Sequence, residues 1–136
     1  MKKLAMPLLD DNGKDSVISE HFGHAPYFGY ITLKDEGYDI DIQKNPLSEH
    51  APGQIPGLMK ENNVDVMVVR GIGSRAVEFF NQFDIEVYRG VSGNLKQIME
   101  DYLSNNLEDD ETYGCNHDHH HWWKFKPYKS IVKIEN

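Results

Sequence analysis

Apolar and polar positions fall into short runs with different periods along this chain, and each run predicts an element. KKLAMPLL (2 to 9) is an apolar run closed by the turn-forming cluster DDNGKD, which predicts a well-buried first strand followed by a loop reaching Pro26. YFGYITLK (27 to 34) and YDIDIQK (38 to 44) are rich in β-branched and aromatic residues, and the acidic, glycine-bearing DEG between them predicts an antiparallel hairpin. NPLSEHAPGQIPGLMKENN reads as a proline-containing loop and then a short amphipathic helix, roughly 53 to 62. VDVMVV (64 to 69) is a continuous apolar strand of the kind buried inside parallel sheets. RGIGSRAVEFFNQF turns through two glycines into a helix whose apolar stripe is Ala76, Val77, Phe79 and Phe80. IEVYR (85 to 89) is a further strand, and Ser92 is the expected N-cap of a last helix carrying Leu95, Ile98, Met99, Tyr102 and Leu103 at helical spacing.

The order βββαβαβα predicts an α/β fold of three layers with a mixed five-stranded sheet in which the second strand runs against the rest. The expected domain spans residues 1–107. Residues 108–136 form an acidic linker and a His/Cys/aromatic-rich tail, which this topology has leaving from the edge where the last helix ends. Four loops, 10 to 26, 45 to 53, 70 to 74 and 89 to 93, are expected at the opposite edge, outside the carboxyl ends of the parallel strands. They carry His21 and His24, His50, then Arg70, Ser74 and Arg75, and finally Arg89. Open α/β sheets bind ligands at that edge.

Two of these loops have chemistry of their own. In RGIGSRA, Gly71 and Gly73 permit close backbone approach, while the helix that follows aims free N–H groups and its positive dipole end at the same point, an arrangement that suits an anion. A tight strand-to-helix turn with no ligand reads equally well from these residues. In SEHFGHAPYF, two imidazoles lie three residues apart; His21 could instead cap local backbone, with Phe22 and Phe28 in the core.

Composition narrows the range of partners. The 14 Lys+Arg against 22 Asp+Glu give a formal charge of -8, which repels a phosphate backbone and argues against nucleic acid. A single Cys forms no internal disulfide, and no apolar run approaches a membrane span, so a cytoplasmic protein with no membrane partner is expected.

YGCNHDHHHWW (113 to 123) holds that cysteine and four of the seven histidines. Cys115, His117, His119 and His121 alternate, so an extended chain sets them on one face, with Asp118 and His120 on the other. Thiolate and imidazole suit borderline divalent transition metals, which makes Cys115, His117, His119, His120 and His121 candidate metal ligands. A solvated tail without a physiological ligand is the alternative, and Trp122, Trp123, Phe125 and Tyr128 leave room for packing onto the domain or another copy.

VISEHFGHAPYF, NPLSEHAPG, VDVMVVRGIGSRAVEFF and IEVYRGVSGNLKQIMEDYL resemble, in order and spacing, the dinitrogenase iron-molybdenum cofactor biosynthesis family over roughly residues 1 to 107. The resemblance implies a ribonuclease H-like fold and a small standalone member related to nitrogen-fixation proteins that carry metalloclusters. Its HFG motif falls on His21, Phe22 and Gly23, next to His24, where the family often has Arg. Its glycine-rich turn falls on Gly71, Ile72, Gly73, Ser74 and Arg75, with Arg70 where the family has a further glycine. An iron-sulfur or iron-molybdenum cluster is the implied cofactor, and a cluster-assembly or acceptor protein is a possible partner.

Against an enzyme stands the absence of carboxylates where ribonuclease H folds need them. The first strand has no internal acid, and the fourth ends in Arg70. A non-enzymatic binding or carrier protein for a metallocluster is therefore the expectation. The alternative is a regulatory or storage protein that binds divalent metal through its His-rich tail.

Overall fold

The computed structural model describes residues 2–47 and 53–110. The elements are β1 (Lys3–Leu8), a 3-10 turn (Gly13–Asp15), β2 (Tyr27–Leu33), β3 (Tyr38–Lys44), α1 (Gln54–Glu61), β4 (Val66–Val68), α2 (Ser74–Gln82), β5 (Glu86–Tyr88) and α3 (Leu95–Leu103). One sheet holds all five strands in the order β3-β2-β1-β4-β5. β2 is antiparallel to both neighbours, Leu4 facing Ile31 and Gly29 facing Ile42, whereas β1, β4 and β5 are parallel, with Leu4 beside Val66 and Val66 beside Glu86. This is the ribonuclease H-like α/β arrangement the sequence predicts.

The strand period of two assigns the layers. Leu4, Met6 and Leu8 of β1 point with Val66, Val68 and Tyr88 into a core closed by Leu95, Ile98 and Met99 of α3. Ala5, Phe28, Met67 and Val87 point the other way, onto Ile55 and Met59 of α1 and Ala76 and Phe80 of α2. Being covered on both faces, β1 is buried from Leu4 to Leu8, as its unbroken apolar run requires. Edge strand β3 alternates half-buried and exposed residues, and it is the more polar of the hairpin pair. β4 and β5 are shorter than their apolar runs, yet Val64, Val69 and Ile85 beyond their ends remain in the core. No helix among the described residues is long and apolar enough to cross a membrane.

Two local expectations are corrected. The cap of α3 is Asn94, not Ser92: its Oδ1 accepts from the Gln97 N–H at 2.9 Å while Gln97 Oε1 accepts from Asn94 N–H at 3.5 Å, a reciprocal capping box. Gly93 lies between Ser92 and this cap at φ 106°, in the left-handed region that a glycine tolerates.

The second correction concerns the chain after α3. It does not continue away from the far edge. Asn105 reverses direction at φ 65°, Leu107 buries in the α3-side core, and Asp109 reaches Arg89, just past the carboxyl end of β5. An apolar residue two positions before a buried carboxylate turns the acidic segment into a strap that climbs the domain.

Candidate functional site

The carboxyl ends of β1, β4 and β5 are joined by backbone contacts into one edge. The long loop after β1 folds back on that strand, with Leu9 N–H donating to Val17 O at 2.9 Å and Ser19 N–H to Pro7 O at 2.9 Å. It also crosses to the start of α3, where Ile18 N–H donates to Gly93 O and Leu95 N–H to Ser16 O at 2.8 Å. Ser16 and Ser19 are buried, and both use their hydroxyls on neighbouring backbone. Ser19 Oγ accepts from His21 N–H and donates to His21 O, each at 3.2 Å, so the backbone of His21 is pinned by the residue two before it.

His21 is also paired to Gly71 in a parallel bridge. That contact places the HFG loop against the strand-to-helix turn between β4 and α2, and both imidazoles remain exposed. The His21 and His24 rings are 6.4 Å apart and nearly perpendicular. On one tetrahedral ion, with metal–nitrogen bonds of about 2.0–2.1 Å, two imidazole centroids would lie roughly 5 Å apart.

Phe22 enters the core instead, packing edge-on at 5.7 Å from Phe80 and 6.5 Å from Phe28. Ile72 is buried in the same cluster. These two anchor their loops and hold His21 and Gly71 together. Gly23 and His24, with Ala25, Pro26, Asn45 and Leu47, line a cleft of about 200 Å³. Asn45 ties that wall together: its Nδ2 donates to Ala25 O and its N–H to Pro26 O, both at 2.9 Å.

At α2, Gly73 is the N-cap residue with extended backbone, and no side chain caps the first turn formed by Ser74, Arg75 and Ala76. The first-turn N–H groups and the dipole face the His21 loop's side of the edge, beside exposed Ser74 and Arg75. Gly71 and Gly73 do not have positive φ, so backbone conformation does not require glycine at either position. Arg70 is about one-third exposed, and its Nε lies 4.0 Å from a Glu20 carboxylate that is 71 % exposed. A solvated pair of that length contributes at most about 1 kcal/mol.

Arg89 behaves differently from the other edge cations. Asp109, only 5 % exposed in its side chain, accepts from Arg89 N–H at 2.8 Å, from Nε at 2.9 Å and from Nη2 at 2.8 Å. Its charge is neutralised by this fork-to-carboxylate pair. Pattern reading therefore missed three residues that build the edge: Ser19, Asn45 and Asp109. Asn45, preceding Pro46, had a turn signal, whereas Asp109 sat unmarked in an acidic run.

His50, Cys115, His117, His119, His120 and His121 lie outside the described residues.

A family model described as dinitrogenase iron-molybdenum cofactor matches residues 2–105. The chain belongs to that family. Over 112 residues it is 26 % identical to an uncharacterised protein of Methanocaldococcus jannaschii, covering 79 % of this chain and 91 % of the relative. Among solved structures it is similar to the crystal structure of PH0822, with TM-score 0.72 and 29 % identity over 82 % of this chain and 98 % of the other. The apo form of the orange protein from Desulfovibrio gigas shares the fold, with TM-score 0.69 and 16 % identity over 81 % and 93 % of the two chains. Arg70 and His24 place a cation and an imidazole at this edge.

Proposed function

We propose that this protein is a non-enzymatic carrier for an iron-sulfur or iron-molybdenum type cluster, held at the edge formed by the HFG loop and the start of α2. The observation that carries the reading is the His21–Gly71 pairing, which sets an exposed imidazole beside an uncapped helix N-terminus. The imidazole is a neutral donor to a metal, and the helix end with Arg70 and Arg75 offsets the negative charge of sulfide-rich clusters. Family membership supports the class of cargo. The cluster is what the protein transports, and the residues present have the donor and counter-charge chemistry it needs.

Anaerobic purification of the full, untagged chain, with iron and sulfide analysis and an absorption spectrum, tests this. Iron and sulfide should co-purify in comparable amounts. His21→Ala should lower cluster retention at least tenfold with an unchanged far-ultraviolet circular dichroism spectrum, because an exposed imidazole contributes little to the core. Retention equal to wild type, or loss of the fold, would show that His21 is structural.

A further inference from the structure

We propose that the outer edge of β3 binds an extended segment of a partner protein by strand addition, the segment carrying lysine or arginine at alternate positions. This interaction is independent of what the cargo is.

β3 is the outermost strand on its side of the sheet, and its seven residues pair one-to-one with β2, with no bulge and no proline. The hydrogen-bonding parity is set at both ends: Lys34 N–H donates to Gly37 O at 3.0 Å and Asn45 N–H to Pro26 O at 2.9 Å. In an antiparallel pair every second residue exchanges bonds with its neighbour strand, so Asp39, Asp41 and Gln43 turn their backbone groups toward β2. Tyr38, Ile40, Ile42 and Lys44 turn theirs outward. Among the described residues no hydrogen bond ends on those outward N–H or C=O groups. The opposite edge differs, since β5 has three residues and, just past its end, the backbone N–H and C=O of Arg89 are taken by Asp109 and Asp110.

Charge defines which strand fits. Asp39 and Asp41 lie exposed on one face of β3, where Lys34 Nζ is 2.7 Å from Asp39 and Gln43 Nε2 donates to Asp41 at 2.9 Å. Residues 34–44 hold four carboxylates against two lysines, in a chain of net charge -8. On the other face Tyr38, Ile40 and Ile42 are half-buried against the α3-side core. Charges on an edge strand resist pairing with a second copy: the antiparallel register that uses all seven residues sets Asp41 opposite Asp41 of the other copy, and like charges directly opposite are destabilising. The same carboxylates favour a strand that places cations opposite them and apolar side chains beside Ile40 and Ile42. Backbone hydrogen bonds supply the attachment, and the carboxylates supply the selection. β3 leads into Asn45, which lines the cleft with His24, so the docking edge adjoins the candidate cargo site.

The probe is a capped peptide of the length of β3 in which lysine and valine alternate, added to the full-length protein labelled with nitrogen-15. Hydrogen exchange at the amides of Tyr38, Ile40, Ile42 and Lys44 should slow at least tenfold, while that of Asp39, Asp41 and Gln43, already bonded to β2, should change little. The same peptide N-methylated at each valine keeps its charge but loses the donors that face β3, and it should bind at least tenfold more weakly. The double variant Asp39→Asn, Asp41→Asn should weaken the unmethylated peptide roughly fivefold with an unchanged circular dichroism spectrum. The double variant Asp39→Lys, Asp41→Lys should instead prefer a peptide with glutamate in place of lysine. Equal binding of the N-methylated peptide, or slowed exchange at other acidic surfaces and not at β3, would mean attraction by net charge alone and would overturn the proposal. So would no binding at about 1 mM peptide, or protection of the same β3 amides in the free protein that grows with its concentration, which would assign the edge to a second copy.

Discussion

Replacing Asp109 with alanine should destabilise the protein far more than an ordinary acidic surface substitution. The carboxylate is 5 % exposed and accepts three N–H bonds from Arg89, whose own side chain is 17 % exposed. An exposed pair would contribute about 0–1 kcal/mol. Breaking a buried pair by removing one partner costs about 3–5 kcal/mol, because the remaining charge is desolvated and uncompensated. Burial places this pair near the second limit, and the slightly greater exposure of Arg89 lets water recover part of the loss, giving about 3 kcal/mol. Against a total of about 5–15 kcal/mol for a domain, the variant stays folded but is visibly weakened. Urea denaturation followed by far-ultraviolet circular dichroism should show the midpoint falling by about 1–3 M, taking a slope of about 1–3 kcal/mol/M. The double variant Arg89→Met, Asp109→Leu should be more stable than Asp109→Ala, since no charge is left buried. A loss below about 1 kcal/mol, or a double variant whose cost is the sum of the two single ones, would refute the assignment of a buried clamp.

Gly29→Ala should lower stability by about 1–3 kcal/mol in a urea titration, because the new Cβ would lie 2.7 Å from Cδ1 of the fully buried Leu8 and the core must shift to admit it; an unchanged midpoint would contradict this packing. Asn94→Ala removes the capping box of α3 and should cost about 1 kcal/mol, with Asn94→Gly costing only a few tenths; equal losses would argue against a side-chain cap. Burial raises the phenol pKa of Tyr30, Tyr88 and Tyr102, with neighbouring Glu86 adding to the rise at Tyr88 and Tyr102. A raised folded pKa means that this contribution is complete below the unfolded value of about 10 and is lost as pH climbs toward the folded values, so urea midpoints should fall above about pH 10. Tyrosinate absorption appearing in full before any loss of structure would oppose that account.

The sequence alone determined the layers of this fold and which loops share an edge. Its evidence was local: the apolar runs at 2 to 9 and 64 to 69, the hairpin around DEG, and the helical stripe through Ala76, Val77 and Phe80 each carry their own period. Handedness and connection rules then leave few arrangements, which is why His21 and Gly71 could be placed at the same edge before any coordinates. Caps were less legible, since Ser92 and Asn94 are both good candidates and only the Gln97 contact separates them. What the tertiary structure decided is long-range pairing. Nothing in the composition of SNNLEDDE distinguishes Asp109 from its acidic neighbours, and Arg89 reads as one more cation at the ligand edge. The two are 20 residues apart, and only the folded chain brings them together and takes the contact out of water, with the Asp109 side chain 5 % exposed. Pairing over such a separation leaves no periodic trace in sequence, yet it determines that residues 109 and 110 lie beside Arg89 at the ligand edge.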